Sequence, residues 1–129
     1  MSTDPRPQNI ALHTRSRELE LDYGDDEHYR LSCELLRVYS PSAEVKGHGP
    51  GQEILQTGKQ QVAITAIRPV GNYALQLVFD DGHDTGLYSW DYLYQLCREQ
   101  DALWRDYLDR LRAAGATRDP DVQVVKLEL

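Results

Sequence analysis

The feature that most restricts the fold is a run of alternating side chains closed at both ends by turn signals. Tyr73, Leu75, Leu77 and Phe79 fall on one face of an extended segment, the period-two pattern of a strand that buries one side. Pro69-Val70-Gly71-Asn72 precedes it and Asp81-Gly82 follows it, and glycine tolerates the positive φ that tight hairpin reversals require. Upstream, Val62, Ile64 and Ala66 alternate with Ala63, Thr65 and Ile67. Downstream, residues 85–88 can supply a third strand. The spacing predicts a three-stranded antiparallel meander.

A sheet with one apolar face needs a cover. Ser89 is placed to cap a helix with Asp91 in its first turn, and Trp90, Leu93, Cys97, Trp104, Leu108 and Leu111 recur at intervals of three, four or seven. Gly115 is the natural stop, and Glu99-Gln100-Asp101 is the candidate point for a break into a helix pair. This aromatic stripe reads as the helix's core face, not as a cofactor box.

Before the meander, Ile10 and Leu12 begin a short strand, and Leu19, Leu21 and Tyr23 alternate with Glu18, Glu20 and Asp22. Gly24-Asp25-Asp26 then turns the chain. From Ser32, read as an N-cap, Leu35, Leu36 and Tyr39 recur at helical spacing with Glu34 in the first turn, and Pro41 closes this short helix. The expectation is an α+β fold: a small antiparallel sheet packed against a C-terminal helix or helix pair, with one short additional helix. Residues 1–9 read as a flexible tail, 10–115 as the domain and 116–129 as an extension. In that extension Val122, Val124, Val125, Leu127 and Leu129 form a final strand or an apolar tail that docks on a neighbour.

With 129 residues and 40% hydrophobic content the chain supports one core. Lysine and arginine total 14 against 21 acidic residues, a net charge of −7, so a nucleic-acid backbone is repelled. No apolar run approaches the ~20 residues of a membrane span, and the polar, proline-bearing start lacks a signal-peptide pattern. The expected location is cytoplasmic. Cys33 and Cys97, far apart in predicted helices, read as buried thiols in a reducing compartment.

Residues 40–58 hold four glycines and two prolines, a loop longer than compact domains usually carry without a functional reason. Lys46-Gly47-His48-Gly49-Pro50-Gly51 invites a phosphate-loop reading. It fails, because Gly58-Lys59 is followed by Gln60, Gln52 stands where a dinucleotide fingerprint needs its third glycine, and Pro50 removes an amide. None of His13, His28, His48 and His83 is paired at the spacing of a hydrolytic zinc helix. His83, in Asp80-Asp81-Gly82-His83-Asp84, reads first as part of a solvated acidic turn and second as a ligand for a divalent cation. Asp22, Asp25, Asp26 and Glu27 likewise read as a solvated turn. There is no Gly-x-Ser-x-Gly elbow, and neither cysteine has a histidine nearby in sequence.

Leu35-Leu36-Arg37-Val38-Tyr39-Ser40-Pro41-Ser42-Ala43-Glu44-Val45, Gly47-His48-Gly49, Val70-Gly71-Asn72-Tyr73-Ala74 and Asp81-Gly82-His83-Asp84-Thr85-Gly86-Leu87-Tyr88-Ser89-Trp90 together resemble the domain at the N-terminus of gamma-butyrobetaine hydroxylases. In those enzymes it precedes a separate iron- and 2-oxoglutarate-dependent catalytic domain, so the resemblance implies an accessory module and not the oxygenase. In some members three cysteines in the segment matching 40–45, with the histidine matching His83, bind zinc. Here Ser40, Ser42 and Val45 stand at those positions, and one imidazole does not make a structural zinc site. Similar domains fused to iron–sulfur cluster carrier ATPases imply an association with iron handling.

The leading expectation is therefore a non-catalytic accessory or interaction module for an unknown protein partner, connected with metal or iron–sulfur metabolism. Its expected surface comprises Ser40, Ser42, Glu44, Gly47, His48, Gly49, Asp81 and Asp84. The alternative is a metal-binding protein holding zinc or iron through His83, with His48 and nearby carboxylates. A third reading is a small enzyme whose site assembles only in a homo-oligomer.

Overall fold

The structure, a computed structural model, describes residues 5–125 and 127. Its first sheet is built from β1 (Asn9–His13), β2 (Glu18–Gly24) and β3 (Glu27–Ser32), paired antiparallel in the order β1-β2-β3. Asp25 and Asp26 both take positive φ, 51° and 63°, which a two-residue turn between right-twisted strands demands and which aspartate accepts better than most residues. Leu19, Leu21 and Leu31 point inward and are fully enclosed. On the outer face the Glu20 carboxylate takes His13 Nε2 on one oxygen at 2.6 Å and His28 Nε2 on the other at 2.7 Å, tying three strands together.

β3 has no counterpart among the strands expected from the sequence. Between the turn and Ser32 only Tyr29 and Leu31 face the core, and Glu27, His28 and Arg30 dominate, so the alternation is too thin to see without its partner strand. Ser32 then ends β3 and also caps α1 (Cys33–Val38), accepting the Leu35 N–H at 3.0 Å.

The predicted meander is present as β4 (Ile64–Val70), β5 (Ala74–Phe79) and β6 (Leu87–Ser89) in the order β4-β5-β6. Leu75, Leu77 and Phe79 are buried as expected. Tyr73 is not: it belongs to the turn and is 59% exposed. Ser89 caps α3 (Trp90–Ala114), a single uninterrupted helix of 25 residues. The expected break at 99–101 does not occur, since Glu99 and Asp101 lie on the solvent side and no residue there breaks a helix. Gly115 ends it in the left-handed conformation, φ 64° and ψ 27°.

One core joins both sheets. Leu19, Leu21 and Leu31 from the first, Leu75, Leu77 and Phe79 from the second, and Leu93, Leu96 and Cys97 from α3 pack together, with Leu35 and Leu36 of α1 among them. Past α3 the chain folds back: Thr117 and Arg118 carbonyls accept the Gly58 and Gln60 N–H groups at 2.9 and 3.0 Å, and Arg118 grips the buried Glu34 carboxylate through two hydrogen bonds, 2.7 and 2.8 Å. Residues 122–125 and 127 lie in no strand and are exposed, while Leu129 lies outside the described residues. Among the described residues no helix is long and apolar enough to cross a membrane.

Candidate functional site

The long loop after α1 is less irregular than its composition implied. Ser42 caps a one-turn helix, α2 (Ala43–Lys46), by accepting the Glu44 N–H at 3.2 Å. The short capping run Ser-Ala-Glu is a weak helix signal, because Pro41 and four glycines surround it. Gly47 closes α2 at φ 72°, where an added Cβ would run into the Gln52 backbone.

His83 shapes this loop from 43 positions away. Its ring is 5% exposed as a residue, not part of a solvated turn. Ser40 Oγ lies 2.8 Å from Nε2 and Glu44 Oε2 lies 3.0 Å from Nδ1. A carboxylate accepts only, so in the neutral ring Nδ1 carries the proton and Ser40 donates to Nε2, while Ser40 Oγ accepts the Ser42 N–H at 3.3 Å. Burial holds the His83 pKa below its ordinary value, helped by the Arg37 charge and opposed by Glu44 and Asp81. Asp81 stands behind it: Arg37 Nε and Lys59 Nζ reach its carboxylate at 2.8 and 2.6 Å. Burial would raise the Asp81 pKa, but Lys59, the His83 amide and Arg37 outweigh it and bring the value to about 2.

Serine, histidine and glutamate in a hydrogen-bonded row have the connectivity of a nucleophilic triad, but the accessibility is inverted. Ser40 is fully buried, with its hydroxyl against the Cα of Gly86, whereas the Glu44 side chain is 62% exposed. A nucleophile must meet substrate and its acid must be sheltered. This row fastens a loop.

Of the residues predicted to form a contact surface, Ser40 and Ser42 are therefore buried and shape the loop from beneath. Glu44, His48 and Asp84 are exposed, Gly47 and Gly49 are half-buried, and Asp81 is occupied by its ion pairs. His48 is not among the hydrogen-bond partners of His83, and among the described residues no group of three histidines, cysteines or carboxylates is arranged to hold a metal ion.

Between this loop and α3 lies a cavity of about 450 Å³. Val45, Ile54 and Leu55 line one wall, and Tyr92, Tyr107 and Arg110 line the other. Its two walls lie far apart in the chain, and its tyrosines belong to a helix whose periodicity marks a core face, so no local pattern announces it.

Residues 10–94 match the model of the family described as gamma-butyrobetaine hydroxylase-like, N-terminal. The chain belongs to this family. The match is to the N-terminal domain alone. Two solution NMR structures are each 54% identical to this family member: one with TM-score 0.80 covers 97% of this chain and 98% of its own, the other with TM-score 0.78 covers 100% and 97%. A crystal structure from Acidithiobacillus ferrooxidans, of a DUF971-family protein of unknown function, is 38% identical with TM-score 0.60, covering 74% of this chain and 97% of its own. No functionally curated protein matches the sequence.

Of the positions that the family resemblance assigns to zinc, Ser40 meets His83, Ser42 bonds to Ser40 and Val45 bonds to the Ser42 carbonyl. Their chemistry does not fit the ion. Two hydroxyls and a buried valine replace thiolates, and both nitrogens of His83 are engaged by the protein.

Proposed function

We propose that this domain is a non-catalytic accessory module that presents α2 and residues 47–56 to a protein partner. The observation that supports it is the exposure of Ile54, 54%, between Glu53 and the half-buried Leu55 on a loop whose base His83, Ser40 and Glu44 fasten. Leu55 and the cavity adjoin Ile54, and a loop already held in shape loses less conformational freedom when it binds. The inverted accessibility of the serine–histidine–glutamate row argues against nucleophilic catalysis there. The iron–sulfur connection comes from the domain fusions of similar proteins and makes cluster-assembly proteins the first partners to assay.

Ile54→Asp removes the apolar contact at an already exposed position and should leave thermal stability within about 1 kcal/mol of the parent. Cross-linking in extract of the native host, with parent and variant as baits, should give a stoichiometric adduct to the parent and none to the variant. An identical adduct pattern for both would refute this face as the contact. Elemental analysis of the same preparations tests the rival reading, in which zinc or iron displaces the two hydrogen bonds of His83.

A further inference from the structure

The cavity between the loop and α3 has a chemistry of its own. Its apolar wall is Val45, Ile54 and Leu55, and the rings of Tyr92 and Tyr107 face them. The phenol hydroxyls are already engaged: Tyr92 donates to the Tyr39 carbonyl at 2.6 Å, Tyr107 to the Gln56 carbonyl at 2.8 Å and Tyr39 to the Leu103 carbonyl at 2.7 Å. Tyr107 is also fully buried, so what remains for a ligand is ring surface of the half-buried Tyr92.

Cations stand on both walls. Lys46 Nζ sits 4.3 Å from the Tyr92 ring centroid, and the Arg110 guanidinium sits 5.6 Å from that of Tyr39. Arg110 pairs with Asp106 at 3.1 Å, whereas among the described residues no carboxylate lies within 4.0 Å of the Lys46 ammonium. Glu53 is the one acid among the lining residues, and its carboxylate accepts the Gly51 N–H at 3.3 Å. Lys46 and Arg110 balance Glu53 and Asp106, so the site is neutral overall, and Lys46 is the lining cation left without a carboxylate partner among the described residues.

A cationic ligand is disfavoured, because the two ring faces that would stabilise it already carry Lys46 and Arg110. An anion without an apolar body would leave the Ile54 and Leu55 wall wet. We propose that this cavity binds a small organic carboxylate, an apolar chain or ring bearing one terminal anion. Its body lies against Tyr92, Ile54 and Leu55, and its carboxylate pairs with Lys46. The volume is in the range of small-molecule sites, which are apolar with a few placed polar groups. The inference goes beyond the partner reading and stands without it.

The test is a proton–nitrogen correlation NMR titration of the full chain with hexanoate, hexanol, hexylamine and acetate. Hexanoate should shift the amides of Lys46, Gly47, Ile54 and Leu55 saturably, and hexanol should bind at least about tenfold more weakly, the loss expected when a charge-assisted contact goes. Hexylamine and acetate should give no saturable shift there. Lys46→Gln, an exposed position that leaves the fold intact, should weaken hexanoate about tenfold and leave hexanol unchanged. Equal binding of hexanoate and hexanol, binding that Lys46→Gln does not alter, or no saturable response at these amides would each overturn the proposal. Acid binding with no cross-linked partner would retain this inference and remove the partner reading; the reverse result would do the opposite.

Discussion

His83 is the residue on which most of the local structure converges. It is neutral in the fold because burial and Arg37 disfavour its charged form. A histidine whose folded pKa lies below the unfolded value of 6.5 contributes its full stability above that pH and loses it as pH falls below, because the unfolded chain then binds the proton more readily. Urea denaturation of the parent should therefore give a falling midpoint from pH 7.5 to pH 5, and His83→Asn should start lower but fall less across that interval. Parallel pH profiles would exclude the buried imidazole as the cause. Asp81 adds a separate loss at lower pH, from its unfolded value of 3.8 down towards 2.

Gly86 matters at the same scale for a different reason. A Cβ there would meet the Ser40 hydroxyl and the Tyr88 ring, neither of which has free space. Gly86→Ala should cost about 1–3 kcal/mol, read as a lower thermal midpoint, while alanine at Gly82, where an added Cβ meets nothing, is costly only through its φ of 90°.

Among the elements, α1 carries the contact that the sequence hid best. Glu34 looks like a first-turn residue that complements the helix dipole, yet it is 6% exposed and held by Arg118 from beyond α3. The Arg118 guanidinium also lies 4.8 Å from the Trp104 ring centroid. Arg118→Ala strands a buried carboxylate and should destabilise the fold by about 1–3 kcal/mol; Arg118 is itself one-third exposed, so the cost stays below the ~3–5 kcal/mol of a fully buried pair. Calorimetry with the Glu34→Gln, Arg118→Ala double variant tests the coupling: the second change should restore part of the loss.

The elements that were legible had their signals within one window. The meander had alternation plus turns, and α3 had a cap, a periodic face and a terminal glycine. β3 and α2 were not legible, because a strand with two apolar residues and a helix of one turn are stable only through partners elsewhere. The loop fastening was missed for the same reason: Ser40, Glu44 and His83 carry no shared pattern, and only the family resemblance set residues 40–45 beside His83.

At the scale of the whole molecule, the two sheets share one core and both thiols lie inside it. Cys33 is 1% and Cys97 2% exposed, and burial raises both pKa values, that of Cys97 to about 12. Iodoacetamide at neutral pH should modify neither in the native protein and both in denaturant, a rate difference of at least about a hundredfold by mass spectrometry. Modification of the native chain at comparable speed would contradict the packing.

Each sheet closes within its own stretch of chain, β1 to β3 first and β4 to β6 later, but the loop between them is fixed by a residue of the second. As the chain leaves the ribosome, α1 and Ser40 emerge well before His83 does. Until Asp81 and His83 have emerged and β5 has paired, the hydrogen bonds of His83 to Ser40 and Glu44 cannot form. The loop surface proposed above as a contact face is therefore assembled late, and a nascent or truncated chain displays the same residues without their arrangement.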